Sequence, residues 1–325
     1  MLLHKKKSSL SEILRCVFVF LFLSFLAVAC HKNDTSSTQQ FAPLWRNETG
    51  RWNKFVAFTS TGDVLWAAND RVETLAKEDG KTIKSIKYCN SGLPVGLIDD
   101  VTWVVACDSV LTQYSLISGQ VIVQVNLGAP IKLVTMSPTL TEVVLASGAV
   151  HILATKDFSP LALRQFPTPP NATAFDPAQH KAFFMTEVPM IGVWDFANNS
   201  YSDSIMAGRL GSGFLAINST ASRLVAETDY FELTVFDLRT HRVITRLKAD
   251  SWTTAGVFAN DKTLVTAGSN GITFYDLDTG AQTILLQGIP QEALALSPDG
   301  TQLIAGDREG VITSFRRGDG HQKWF

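Results

Sequence analysis

Leu264-Val265-Thr266-Ala267-Gly268-Ser269-Asn270-Gly271-Ile272-Thr273-Phe274-Tyr275 reads as a strand, a tight turn and a second strand. Apolar and β-branched residues on either side suit a pleated backbone, and Asn-Gly supplies residues that tolerate the backbone of a short turn. Outward from this stretch, Asp278-Thr279-Gly280 and Ser297-Pro298-Asp299-Gly300 are further turns separated by short apolar runs. No segment of the chain after residue 30 keeps an apolar period of 3.6 for three turns, so helices are expected to be nearly absent.

The same layout recurs. First strands end at Thr59, Ile98, Met136, Phe175, Ile217, Phe258 and Leu296, at steps of 39, 38, 39, 42, 41 and 38 residues. Third strands end at Leu75, Tyr114, Leu153, Trp194, Phe236, Tyr275 and Phe315, at steps of 39, 39, 41, 42, 39 and 40. A period near 40 with four strands per unit predicts an all-β, seven-bladed β-propeller over residues 41–325, with seven units filling Asn53 to Phe325. Val193-Trp194-Asp195, Val235-Phe236-Asp237 and Phe274-Tyr275-Asp276 resemble degenerate WD-repeat signatures, and Asp319-Gly320-His321-Gln322-Lys323-Trp324 resembles quinoprotein-type blades.

Residues 1–29 have the order of a secretory signal: Lys5, Lys6 and Lys7, an apolar run from Val17 to Ala29, then small residues before Cys30. The run is 13 residues long, too short to span a bilayer core of ~30 Å as a helix. Leu26-Ala27-Val28-Ala29-Cys30 resembles the lipobox of bacterial lipoproteins, in which the Cys is acylated and becomes the new N-terminus. The resemblance implies a lipid on Cys30, and His31 in place of Asp implies sorting to the outer membrane, facing the periplasm. Ala27-Val28-Ala29 also suits an ordinary signal peptidase, which leaves open a soluble periplasmic or secreted protein. Residues 30–40 are polar and read as a flexible tether.

The formal net charge is −2, and residues 1–29 contribute +3, so the remainder is acidic and has no Lys/Arg stripe. That composition argues against nucleic acid as a partner. The expected inner strands, Asn53 to Phe58, Pro94 to Ile98, Ile131 to Met136, Asn171 to Phe175, Ser212 to Ile217, Thr253 to Phe258 and Glu292 to Ser297, hold no His, no Cys and one carboxylate, Glu292. A metal at the central channel needs several converging ligands, so neither metal, cofactor nor catalytic residue is expected. The leading expectation is a non-catalytic scaffold for protein partners of the cell envelope, similar in plan to the propeller lipoprotein of the outer-membrane β-barrel assembly machinery. The alternative is a quinoprotein-like or lactonase-like enzyme.

Three local expectations follow from the register. Cys89 and Cys107 should share one rim and form a disulfide if the compartment is oxidising. Blades four and five span 19 residues between the two markers against 16 or 17 in blades one, two, three and six. The additions fall at Glu187 to Met190 and Glu227 to Phe231, and Trp252 lies in the following crossover; Pro189, Met190, Tyr230, Phe231 and Trp252 are therefore the candidate partner anchors. Finally, Phe41 to Arg46 has no blade of its own and should lie along the outer edge of blade seven, joined there by His321 to Phe325.

Overall fold

Twenty-eight strands among the described residues form seven four-stranded antiparallel sheets in a computed structural model, which describes residues 43–185, 190–206, 213–229, 231–249 and 251–316. The chain enters as β1 (Pro43–Glu48). Blade one is β2 (Phe55–Phe58), β3 (Val64–Ala67), β4 (Arg71–Leu75) and β5 (Thr82–Lys87). Blade two is β6 (Leu93–Asp99), β7 (Thr102–Cys107), β8 (Val110–Ser115) and β9 (Val121–Asn126). Blade three is β10 (Ile131–Met136), β11 (Leu140–Leu145), β12 (Ala149–Ala154) and β13 (Pro160–Gln165). Blade four is β14 (Ala172–Asp176), β15 (Lys181–Met185), β16 (Met190–Asp195) and β17 (Ser200–Met206). Blade five is β18 (Leu215–Ile217), β19 (Arg223–Asp229), β20 (Glu232–Asp237) and β21 (Arg242–Lys248). Blade six is β22 (Thr253–Asn260), β23 (Thr263–Gly268), β24 (Gly271–Asp276) and β25 (Gln282–Gln287). Blade seven is β26 (Gln291–Leu296), β27 (Gln302–Asp307) and β28 (Val311–Arg316), with β1 as its outer strand. No helix occurs among the described residues.

Neighbouring inner strands touch around the whole ring, and β26 meets β2 to close it. Seven core clusters fill the seven seams. One joins Val104, Leu111, Val143 and Leu153 between blades two and three, and another joins Val144, Ile152, Phe184 and Trp194 between blades three and four. Antiparallel order puts the inner-to-second and third-to-outer turns on one face, called lower here. The second-to-third turns and the blade-to-blade crossovers lie on the opposite, upper face.

The aspartates that end third strands have a structural task. Asp276 Oδ1 accepts the backbone N–H groups of Asp278 (2.9 Å) and Thr279 (2.8 Å), and Asp237 Oδ1 accepts that of Thr240 (2.7 Å). These bonds satisfy turn donors that the ladder cannot reach. The same bonds hold both carboxyls below the usual carboxylate range.

Blade seven closes on a strand from the far end of the chain. β1 runs antiparallel to β28, with Glu48 opposite Val311 and Pro43 opposite Phe315. Trp45 is buried with Trp66, Val56, Leu75 and Ile312, and its indole Nε1 donates to Lys77 O at 2.9 Å. Asn47 Nδ2 donates to Gly80 O (2.5 Å), Thr49 N to Gly310 O (2.6 Å) and buried Asn53 Nδ2 to Val311 O (3.0 Å). Gly80 sits at φ +70°, and a Cβ there would overlap the Trp45 ring, so a glycine is required on both counts. The strand starts at Pro43 among the described residues, and the expected contribution of His321 to Phe325 lies outside them, as do Cys30 and the tether.

Candidate functional site

The upper face carries most of the residues singled out in the sequence. Cys89 lies two residues beyond β5, Cys107 ends β7, and a disulfide joins them with a Cα–Cα distance of 6.1 Å, stapling blade one to blade two. The bond closes a stretch with a sequence separation of 18.

Phe231 and Trp252 come together on the same face. Phe231 lies in the β19–β20 turn with φ +59°, and Trp252 in the crossover from blade five to blade six. Their rings meet edge to face, with centroids 5.2 Å apart and an interplanar angle of 69°, a favoured aromatic geometry. Both remain over a third exposed, 38% and 37%. The crossover is pinned beneath them. Ala249 N donates to Phe231 O (2.7 Å), Ser269 N to Trp252 O (3.2 Å), Asn270 N to Ser251 Oγ (3.0 Å), and Thr253 N to the buried Glu227 Oε2 (3.3 Å). Burial pushes the Glu227 carboxyl up to about 7, and the Thr253 N–H pulls it partly back. The hollow beneath Trp252 has a volume of about 20 Å³, room for little more than a water.

Other expected anchors sit differently. Met190 is the first residue of β16, paired with Met206 and half-buried, so it belongs to the ladder and not to a projecting turn. Glu227, Thr228 and Asp229 likewise extend β19, with Glu227 and Thr228 buried. Pro189 and Tyr230 lie outside the described residues. Nor is the longer span confined to blades four and five, since Leu296 and Phe315 are also 19 residues apart.

That third long blade marks a cluster the sequence reading missed. Its β27–β28 turn brings Arg308 beside Trp52, an exposed indole on the same face. Lys54 Nζ lies 3.0 Å from the Trp52 ring centroid and Arg308 Cζ 5.3 Å from it, while Arg308 Nε donates to Glu292 Oε1 at 2.5 Å. The ammonium and guanidinium are both placed to interact with the indole π-system. Partial burial lowers the Lys54 pKa, Glu292 opposes this, and Arg308 adds to it. Spacing of aromatic and cationic residues across blades seven and one gave no local signal for this arrangement.

The channel wall is occupied by ties between blades. Thr135 and Thr173 share a hydroxyl hydrogen bond (2.8 Å), Lys132 Nζ donates to Asn171 Oδ1 (3.0 Å), and Thr254 Oγ1 to Gln291 O (2.6 Å). The observed strand bounds add Asp99 and Asp176 to Glu292 as inner-strand carboxylates, correcting the expectation of one. Among the described residues no three His, Cys, Asp or Glu side chains converge as metal ligands would. The lower face has two shallow hollows of about 570 and 720 Å³, at the seams between blades seven and one and between four and five.

No family model matches the chain, and no curated protein does. Among solved structures it is similar to a chain in "Crystal Structure of Mitotic Checkpoint Complex", at 13% identity and a TM-score of 0.74 over 89% of this chain and 96% of that one. At that identity the likeness shows the fold alone: a seven-bladed β-propeller.

Proposed function

We propose that this chain is a non-catalytic, lipid-anchored scaffold of the outer membrane that faces the periplasm and holds protein partners on its upper face. The observation that carries this reading is the exposed Phe231–Trp252 pair, fixed on a crossover pinned by four hydrogen bonds. Rigid aromatic side chains offer large contact area at low entropic cost and are favoured at the centres of protein interfaces. Trp52, on the same face with Lys54 and Arg308 at its ring, extends the surface toward blades seven and one. A chain of the same fold was solved within a multi-protein complex, which agrees with this use of a propeller. The lipobox-like stretch ending at Cys30 supports the anchor.

A photo-crosslinking residue placed at Trp252 in cells should trap a discrete partner, while the same residue at Ser219, in a lower-face turn, should not. Equal yields from both sites would remove the upper face from the argument. The anchor is tested separately, by the mass of the peptide that begins at Cys30. One metal, haem or quinone per purified chain would replace the scaffold by the propeller enzyme.

A further inference from the structure

The outer strands carry a regular irregularity. In each blade the outer strand leaves one residue without a partner in the ladder, which is a β-bulge that turns the strand outward. In five blades the skipped residue lies near the lower end and is a large aliphatic: Leu44, Ile83, Ile122, Leu161 and Ile244. These five are 37 to 60% exposed. In blade six the skipped residue, Leu285, lies further along its strand and is buried, and in blade four it is Ser204.

Four of the five knobs fall on consecutive blades, seven, one, two and three. They form an arc, thickened at its centre by Ile117, which is 71% exposed in the lower turn of blade two. The strand at that centre, β9, has the sequence Val-Ile-Val-Gln-Val-Asn and carries no charge. Exposed aliphatics repeated at one height on four blades are more than the single scattered residues expected of any surface.

The occupant is indicated by where the chain enters. Pro43 pairs with Phe315 near the end of β28, so the polypeptide leaves the ring at the lower rim, one residue from Leu44. Twelve residues separate Cys30 from Pro43. Fully extended, that stretch reaches at most roughly 45 Å, and a flexible one stays much closer. An anchor at Cys30 would therefore keep this rim, of all parts of the ring, within a tether's length of the bilayer. The five knobs are all Leu or Ile, side chains that insert between acyl chains, and the cations beside them, Arg316 and Lys77 at the hollow that Leu44 lines and Lys84 bonded to Ile117 O, suit the headgroup level just above such an insertion. The bulges also interrupt the edge ladder, which works against strand addition by a second copy.

We propose that the lower rim of blades seven, one, two and three rests on the bilayer, with Leu44, Ile83, Ile117, Ile122 and Leu161 entering its interfacial layer. The orientation rests on the lipid-anchored reading above. Docking of this kind turns a loose tether into a fixed pose, with the Phe231–Trp252 face directed away from the lipid.

The ring closes and buries its seven clusters within residues 43–316, so residues 30–325 can be studied without the leader. Cys30 is then the one thiol outside the disulfide and can be coupled to a maleimide lipid in phosphatidylcholine vesicles. Hydroxyl-radical footprinting should show roughly threefold or more protection of Ile83, Ile117, Ile122 and Leu161, relative to the same chain with Cys30 capped and no vesicles. Phe231 and Trp252 should be modified equally in both samples. Protection should survive high salt, because the contact is apolar. Unprotected rim residues, or protection confined to Phe231 and Trp252, would overturn the proposal. Rim modification in the capped, vesicle-free chain that falls as protein concentration rises would do so too, by assigning the rim to a second copy. Chemical coupling supplies the anchor here, so this result is independent of whether cells acylate Cys30.

Discussion

In blade seven the outer strand arrives from the other end of the chain, whereas in blade three every strand is joined to the next by a hairpin. At the first, Trp45, Asn47, Thr49 and Asn53 each find a backbone carbonyl across the joint. At the second, Glu142 of β11 is buried between Thr135 and Ile152, and among the described residues neither carboxyl oxygen has a hydrogen-bond partner. Burial alone raises its pKa well above the ordinary value. The joint has bare polar atoms too, since the buried Ser314 Oγ opposite Trp45 and the Trp66 Nε1 packed beside it lack partners among the described residues. What differs is the chemistry of the defect: a hydroxyl or indole N–H stays neutral at any ordinary pH, whereas a buried carboxyl avoids a bare charge only by keeping its proton.

The sharpest way to break this contrast is at Trp45. Trp45→Ala empties the closing cluster and should cost about 3–5 kcal/mol, a fall of roughly 10 °C in Tm. Starting the chain at Asn47 should cost more, and either variant melting like the parent would mean that β1 does not hold the ring. The staple between blades one and two ranks next. Cys89→Ser with Cys107→Ser should lower stability by ~3 kcal/mol in denaturant titrations, by releasing the loop that the disulfide closes.

Changes at Glu142 should act in the opposite direction. Glu142→Leu should raise stability by about 1–3 kcal/mol at neutral pH, because the orphaned carboxyl is removed. The sign of the pH dependence follows from its raised folded-state pKa. The native state keeps a proton that the unfolded chain releases near pH 4.5, so the contribution is complete below that pH and is lost as pH rises through the folded value. Glu142→Leu should remove that part of the decline. Glu227, with a folded value of about 7, gives a smaller effect of the same sign between about pH 4.5 and 7. Glu227→Gln should flatten that interval, and a slope identical to the parent's would show that Glu227 is ionised throughout.

The blade period, the turn aspartates and the unassigned apolar segment before blade one were legible because each has a local signature: a spacing, an aromatic-Asp pair at the end of a third strand, or an apolar run without a unit of its own. Phe231 and Trp252 were legible as loop aromatics, although their contact depends on two segments meeting. Met190 was misplaced because the marker spacing fixes how many residues are added but not where the next strand begins, and β16 begins at Met190 itself. The Trp52, Lys54 and Arg308 cluster could not be read, since it is assembled from opposite ends of the chain. Nor could the burial of Glu142, since Leu-Thr-Glu-Val-Val-Leu places it on the alternate face of a strand that has no solvent side. The knobs of the lower rim were hidden for a related reason: a bulge is a property of strand pairing, not of either strand's composition.

The closing strand also sets an order of events. Thr49 and Gly310 are 261 residues apart, so β1 is synthesised long before its partner strand exists. Until β28 is made, Trp45 stays uncovered and blade seven has no outer strand. Bringing together contacts so distant in sequence is slow and leaves apolar edges open to misassociation. The ring therefore cannot finish folding segment by segment during synthesis, and its completion waits for β28.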